Sequence, residues 1–159
     1  MGMDVYGRNP ANEKGEYFRN NVWWWHPLWD YCCEVSDTAK KVANAHTNDG
    51  DGLGKRDSLK LAATLRENIS NGNCKEYADA HAARLAALPL EECELCKGTG
   101  TRPGGKEQFG AEWVKQMKGC NGCLGTGKKK AWATNYPFSV ENVVEFCDFL
   151  EASGGFKIC

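Results

Sequence analysis

Two stretches of the chain carry residue types at a spacing that does chemistry. Cys93-Glu-Leu-Cys96-Lys-Gly-Thr-Gly100 and Cys120-Asn-Gly-Cys123-Leu-Gly-Thr-Gly127 repeat one pattern, C-x-x-C-x-G-x-G. A cysteine doublet separated by two residues lets a tight turn aim two thiolates at one ion, and two doublets complete a tetrahedral shell of four sulfurs. The glycines follow from the same turn, because the backbone must wind round the sulfurs through conformations that a Cβ resists. Cys93, Cys96, Cys120 and Cys123 are therefore expected to bind one zinc ion, with an iron site or a redox pair as the alternatives. A shell of four sulfurs has no open position for water or substrate, so the expected zinc is structural. Its task would be to fix the stretch from Cys93 to Gly127, which has few apolar residues of its own.

The segment from His46 to Gly52 is a second place where ligands could gather. Asp49 and Asp51 stand two residues apart in Asn48-Asp-Gly-Asp-Gly52, so both could face one hard cation. A calcium loop aligned from Asp49 fails, since its twelfth position is Lys60 where a bidentate Glu is required. A Mg2+ site for phosphate chemistry and a plain polar turn both stay open. If the loop were catalytic, His46 would be the first candidate for general base and His26 the second. His81 falls on the apolar stripe of a helix and reads as a hydrogen-bonded core residue. The Gly-x-Ser-x-Gly, Walker and His-Glu-x-x-His motifs are absent, so the expectation is a protein that is not an enzyme and has no catalytic residue.

Charge and aromatic residues suggest binding instead. Between Cys96 and Lys130 lie Lys97, Arg102, Lys106, Lys115, Lys118, Lys128, Lys129 and Lys130 against only Glu107 and Glu112, a formal +6 in a chain whose total is -1. Four zinc-bound thiolates would lower that local excess to about +4. The asymmetry suits a surface that faces an anion, whether nucleic acid or an acidic protein, or else simply keeps a small insert soluble. Trp23, Trp24 and Trp25 could stack bases or fill a partner's pockets. Read as core, Trp23 and Trp25 would share one strand face and Trp24 the other.

These groups need a scaffold. A chain of 159 residues, 42% hydrophobic and 26% charged, can bury a core without staples. Charged residues break every apolar run well short of the roughly 18 residues a membrane span needs, and no secretory leader is evident. Nine cysteines cannot all pair, and four of them form the two doublets, which suits a reducing cytoplasm. The pattern predicts strands at Met1 to Tyr6 and Tyr17 to Trp25, with Pro27 in the first turn of a helix. Leu28, Cys32, Val35, Ala39 and Val42 give that helix its stripe.

A second helix is expected to bury Leu59, Ala62, Leu65 and Ile69 and to stop at Asn71-Gly72. A third runs from about Lys75 and carries Tyr77, His81, Leu85 and Leu88 until Pro89 ends it. Ala131 to Tyr136 suggests a strand. Ser139 is the expected N-cap of a last helix that buries Val140, Val143, Cys147 and Leu150, and Phe156 to Cys159 suggests an edge strand. The fold class is α+β: a single domain over 1–159, with a small sheet, about four helices and a zinc-bound, β-hairpin-like insert at 93–127.

From Cys93 to Gly127 the residues resemble the cysteine-rich region of DnaJ-type co-chaperones, which is built from the same C-x-x-C-x-G-x-G units. That family usually carries four units and two zinc ions, whereas this chain has two units and no J-domain His-Pro-Asp motif. The resemblance thus implies a zinc-binding fold for about a fifth of the chain. The whole chain is similar to small proteins of phages and bacteria in its Met-Gly-Met-Asp-Val-Tyr start, Trp-rich segment and Tyr-Pro-Phe-Ser-Val-Glu-Asn ending. That likeness implies no activity by itself; the cysteine usage points to the cytoplasm, the host's own if phage-encoded, and the basic insert with the aromatic segment points to a binding protein. Its partner would be a host protein or ribonucleoprotein complex, and its role the inhibition of a host defence complex in the manner of an anti-CRISPR. Direct binding of single-stranded nucleic acid is the alternative, and a small enzyme using the His46 to Gly52 loop the third reading.

Overall fold

A computed structural model of the chain describes residues 2–102 and 119–159. The chain forms two compact units, one made of Met1–Arg84 and Asn135–Cys159, the other of Leu85–Thr134. The fold is α+β, and the described residues contain four α-helices and two small antiparallel sheets.

In the first unit, β1 (Gly2–Gly7) is the central strand of three. It pairs with β2 (Tyr17–Asn21) in a register that sets Val5 against Phe18, and with β5 (Phe156–Ile158) in one that sets Val5 against Ile158. Strand alternation turns Met3 and Val5 to the interior and Asp4 and Tyr6 outward, where Tyr6 packs on Tyr17 with ring centroids 5.0 Å apart. The expected edge strand at the C-terminal end is present. Its free side is covered by the polar loop, for Leu53 and Asp51 accept from the amides of Phe156 and Ile158, both at 2.8 Å. Gly52 permits this approach, since a Cβ there would stand 2.1 Å from the Phe156 carbonyl oxygen.

Helix α1 (Val22–Val35) begins earlier than the sequence pattern predicts. The side chain of Asn21 accepts from the amide of Trp24 at 3.1 Å and so caps a helix inside what reads as a strand. Pro27 consequently lies in the second turn, where it forgoes one helical hydrogen bond. Trp23 to Trp25 are helical, which corrects the strand expected there and scatters the three indoles around the axis. The helix also ends sooner than its apolar stripe suggests. Ser36 turns extended, its hydroxyl receives the amide of Thr38, and a short 3-10 turn over Ala39–Lys41 follows. Ala39 and Val42 are buried all the same, so their spacing reported burial and not helix.

Helix α2 (Lys55–Ser70) buries Ser58, Leu61, Ala62 and Leu65 and leaves Leu59 exposed, a rotation of the face expected from its sequence. Ser58 explains the rotation: its hydroxyl donates to the Leu150 carbonyl at 3.0 Å and lies 3.3 Å from the Ser153 hydroxyl, drawing α2 against α4 (Val140–Ala152). Beside this clamp, Arg66 donates to both oxygens of Glu151 at 2.9 Å and to Asp148 at 2.5 Å. Ser139 caps α4 as expected, accepting from Asn142 at 3.2 Å. Between helices and sheet, Trp25 stacks on Trp29 at 5.4 Å while Phe146 meets Trp25 edge-on at 5.7 Å. Helix α3 is Asn73–Ala86, and Gly72 and Asn71 stand at the break before it.

The second unit contains the cysteine segment and a two-stranded ladder, β3 (Glu91–Glu92) with β4 (Lys128–Lys129). The strand expected over Ala131 to Tyr136 is instead a 3-10 turn at Trp132–Asn135. Thr134 there bonds the Ala131 carbonyl through both its amide and its hydroxyl, a local closure that competes with strand pairing. No described helix is long and apolar enough to cross a membrane.

Candidate metal centre

Each C-x-x-C-x-G-x-G unit folds as a knuckle. The amide of Cys96 bonds the Cys93 carbonyl at 3.3 Å, and Cys123 repeats this with Cys120 at 3.3 Å. Thr99 and Thr126 lock the far side, each hydroxyl donating at 2.7 Å to the carbonyl of the second cysteine of its own doublet. The two knuckles then clasp each other by backbone. Cys93 donates to the Gly127 carbonyl at 2.9 Å and Cys120 donates to the Gly100 carbonyl at 2.7 Å, so the last glycine of each unit receives the first cysteine of the other. Gly127 has φ +76°, and a Cβ on it would lie 2.2 Å from the Gly98 carbonyl oxygen. Glycine here meets a requirement of both conformation and space.

This clasp brings four buried sulfurs together, all within 4.8 Å of one another. Cys93 and Cys120 are 3.8 Å apart, and Cys96 and Cys123 are 3.7 Å apart. Ligands about 2.3 Å from a tetrahedral ion stand about 3.8 Å from each other, so the spacing is that of a metal shell and far longer than a disulfide bond. Burial pushes the Cys96 thiol up. Cys123 is held below the usual thiol range despite burial, because the Gly127 amide, 3.2 Å from its sulfur, stabilises the thiolate. The four cysteines can hold a metal ion, and among the described residues they are the one group of three or more such ligands whose donor atoms all lie within 4.8 Å of one another. The other five cysteines form no disulfide; Cys32, next to Cys33, is fully buried with its thiol pushed well up by desolvation.

The remaining candidates divide. Lys106, Lys115 and Lys118 lie outside the described residues. Lys97 is exposed at the tip of the first knuckle with φ +51°, and Leu124 holds the equivalent place in the second with φ +52°. Arg102 reaches the Asn121 side chain at 3.4 Å. The lysine run does not stand alone: Lys128 is paired across the ladder with Glu92 and Lys129 with Glu91, and Lys129 also lies 3.4 Å from Glu94. Residues in register share a face, so acids offset two of the three lysines. The acidic pair Glu91-Glu92 is visible in the sequence, but its register with the lysines depends on the clasp between the two knuckles.

Trp25 is fully buried and its indole donates to the Ala45 carbonyl at 2.8 Å, which removes it from the aromatic surface expected of Trp23 to Trp25. Trp23 and Trp24 are half-buried, and Trp23 packs edge-on against Tyr136 at 4.9 Å. In the polar loop, Asp51 accepts from the amides of Asn44 at 2.9 Å and Gly52 at 2.7 Å, bonds that hold its carboxyl below the usual range. Asp49 accepts from the Thr47 hydroxyl at 2.6 Å. Both carboxylates thus brace the turn. His46 faces α1 instead, with Nε2 3.5 Å from Asp30 and its ring 4.4 Å from that of His26. Asp30 was missed, although its place one helical turn after His26 was a usable sign. His81 is buried, receives Arg84 on Nδ1 at 3.0 Å and donates from Nε2 to the Tyr136 carbonyl at 2.8 Å, as a core histidine should.

Comparison of the chain with protein-family models, with curated proteins and with solved structures finds no match.

Proposed function

We propose that this chain is a non-enzymatic binding protein in which one structural zinc ion, held by Cys93, Cys96, Cys120 and Cys123, fixes a pair of knuckles that engage a protein partner. The observation that carries this reading is Leu124. It is 84% exposed at a knuckle tip and holds a left-handed backbone conformation, which costs a residue with a Cβ about 1–2 kcal/mol. Glycine would relieve that cost, so an apolar side chain kept there suits a contact made with something else. Leu90, Leu95 and Trp132 are further exposed apolar residues of the same unit. A closed shell of four thiolates has no catalytic opening, and the acids opposite Lys128 and Lys129 favour a protein surface over a phosphate backbone. On its resemblance to small phage proteins, the partner would be a host protein or ribonucleoprotein complex that the chain inhibits.

The test is capture from a host lysate with and without nuclease, using the native chain and Leu124→Asp. A protein recovered in stoichiometric amount by the native chain after nuclease, and lost with Leu124→Asp while zinc content is unchanged, is the expected result. Recovery of nucleic acid alone, or a partner indifferent to Leu124→Asp, overturns it.

A further inference from the structure

Two imidazoles and a carboxylate, none of them used by the thiolate centre, converge on α1. His26 and Asp30 are four residues apart on that helix and so lie on one face, a turn from each other. His46 comes from the following loop, and its place is set from the interior. The buried indole of Trp25 holds the carbonyl of Ala45, tying the residue before His46 to the turn that carries His26. Nε2 of His46 consequently lies 3.5 Å from Oδ1 of Asp30, with the two imidazole rings in edge contact. Tyr136 stacks on the His26 ring at 5.8 Å and 17°.

We infer that His26, Asp30 and His46 form a second metal site, one that takes a divalent transition ion such as Zn2+ through two imidazole nitrogens and a carboxylate oxygen. Nitrogen with carboxylate oxygen is a donor set that such ions accept, and three protein ligands would leave the rest of the shell to water. Ligand atoms about 2.0–2.1 Å from a tetrahedral ion stand about 3.4 Å apart, close to the 3.5 Å between His46 and Asp30. Unlike the thiolates, the three groups are not all within 4.8 Å of one another, so the ion would draw them together. Asp30 and His46 have room to turn, with side chains 67% and 43% exposed.

The experiment is a zinc titration of the untagged full chain, followed by calorimetry and by the imidazole 1H–15N resonances. Two equivalents are expected, the tighter on the thiolates. The weaker one should shift the ring nitrogens of His26 and His46 but not of His81. It should vanish in the His26→Ala/His46→Ala double variant and weaken at least tenfold in Asp30→Asn, with the tighter equivalent retained in both. Uptake of one equivalent only, or a second equivalent that survives in the double variant, overturns the inference. Loss of the tighter equivalent would instead count against the thiolate zinc.

Discussion

The amide of Cys93 donates to the carbonyl of Gly127 at 2.9 Å, joining the first residue of one knuckle to the last residue of the other. Its counterpart, Cys120 to Gly100 at 2.7 Å, closes the same circuit from the opposite side. The doublets are 27 residues apart in sequence, yet the clasp sets their sulfurs 3.7 and 3.8 Å apart. The backbone itself sets the spacing of the four sulfurs.

Gly127→Ala tests that clasp. The new Cβ would meet the Gly98 carbonyl at 2.2 Å and occupy φ +76°, a conformation that costs a non-glycine residue about 1–2 kcal/mol even without the clash. Zinc affinity measured against a competing chelator should fall at least tenfold, although all four thiolates remain. Unchanged affinity would mean that the ion tolerates a looser backbone.

Removing the metal should affect one unit and spare the other. The cysteines form a buried cluster separate from the apolar core built on Trp25, Trp29, Phe146 and Leu150. Cys93→Ser, Cys120→Ser or a strong chelator should therefore abolish amide protection in the two knuckles, Cys93 to Gly100 and Cys120 to Gly127, while the strands and helices of the first unit keep theirs. Hydrogen exchange read by mass separates this from a collapse of both together.

Acid should weaken the α2–α4 junction. Lys14, and then Arg66, hold the Asp148 carboxyl below its ordinary 3.8, and Arg66 holds Glu151 below 4.5. A carboxyl depressed in the folded state contributes stability that is complete above its unfolded pKa and lost as pH falls through its folded one. Urea midpoints should thus drop below about pH 4.5, and Arg66→Gln should be less stable than the native chain at pH 7 by a margin that shrinks toward pH 3. A margin constant across that range would leave the pairing without influence.

Tyr31→Phe should cost nothing. The Tyr31 hydroxyl is buried without a nitrogen or oxygen partner, and its neighbour is the thiol of Cys74, a weak acceptor. Deleting an unsatisfied hydroxyl spares its desolvation, so thermal unfolding should show stability unchanged or raised by up to about 1 kcal/mol. A clear loss would show that the Cys74 contact is a genuine hydrogen bond.

Features that depend on a few neighbouring residues were legible along the chain. The C-x-x-C-x-G-x-G repeat specified both knuckles, since a turn that aims two sulfurs is complete within eight residues. Ser139 marked the start of α4 and Asn71-Gly72 the end of α2, because caps act on the turn beside them. Whatever required a distant partner was settled by packing. Val22 to Trp25 suit a strand by type, but Asn21 caps them into a helix whose Trp25 reaches Ala45 and the Phe146 ring. Leu61 displaced Leu59 from the buried face because Ser58 found the carbonyl of Leu150 in a helix 92 residues away. His46 met His26 and Asp30, and Lys128 met Glu92, through contacts that no local spacing encodes. Periodicity shows which residues seek burial, while the direction of the core, and so the face each helix turns inward, is set only when the elements pack.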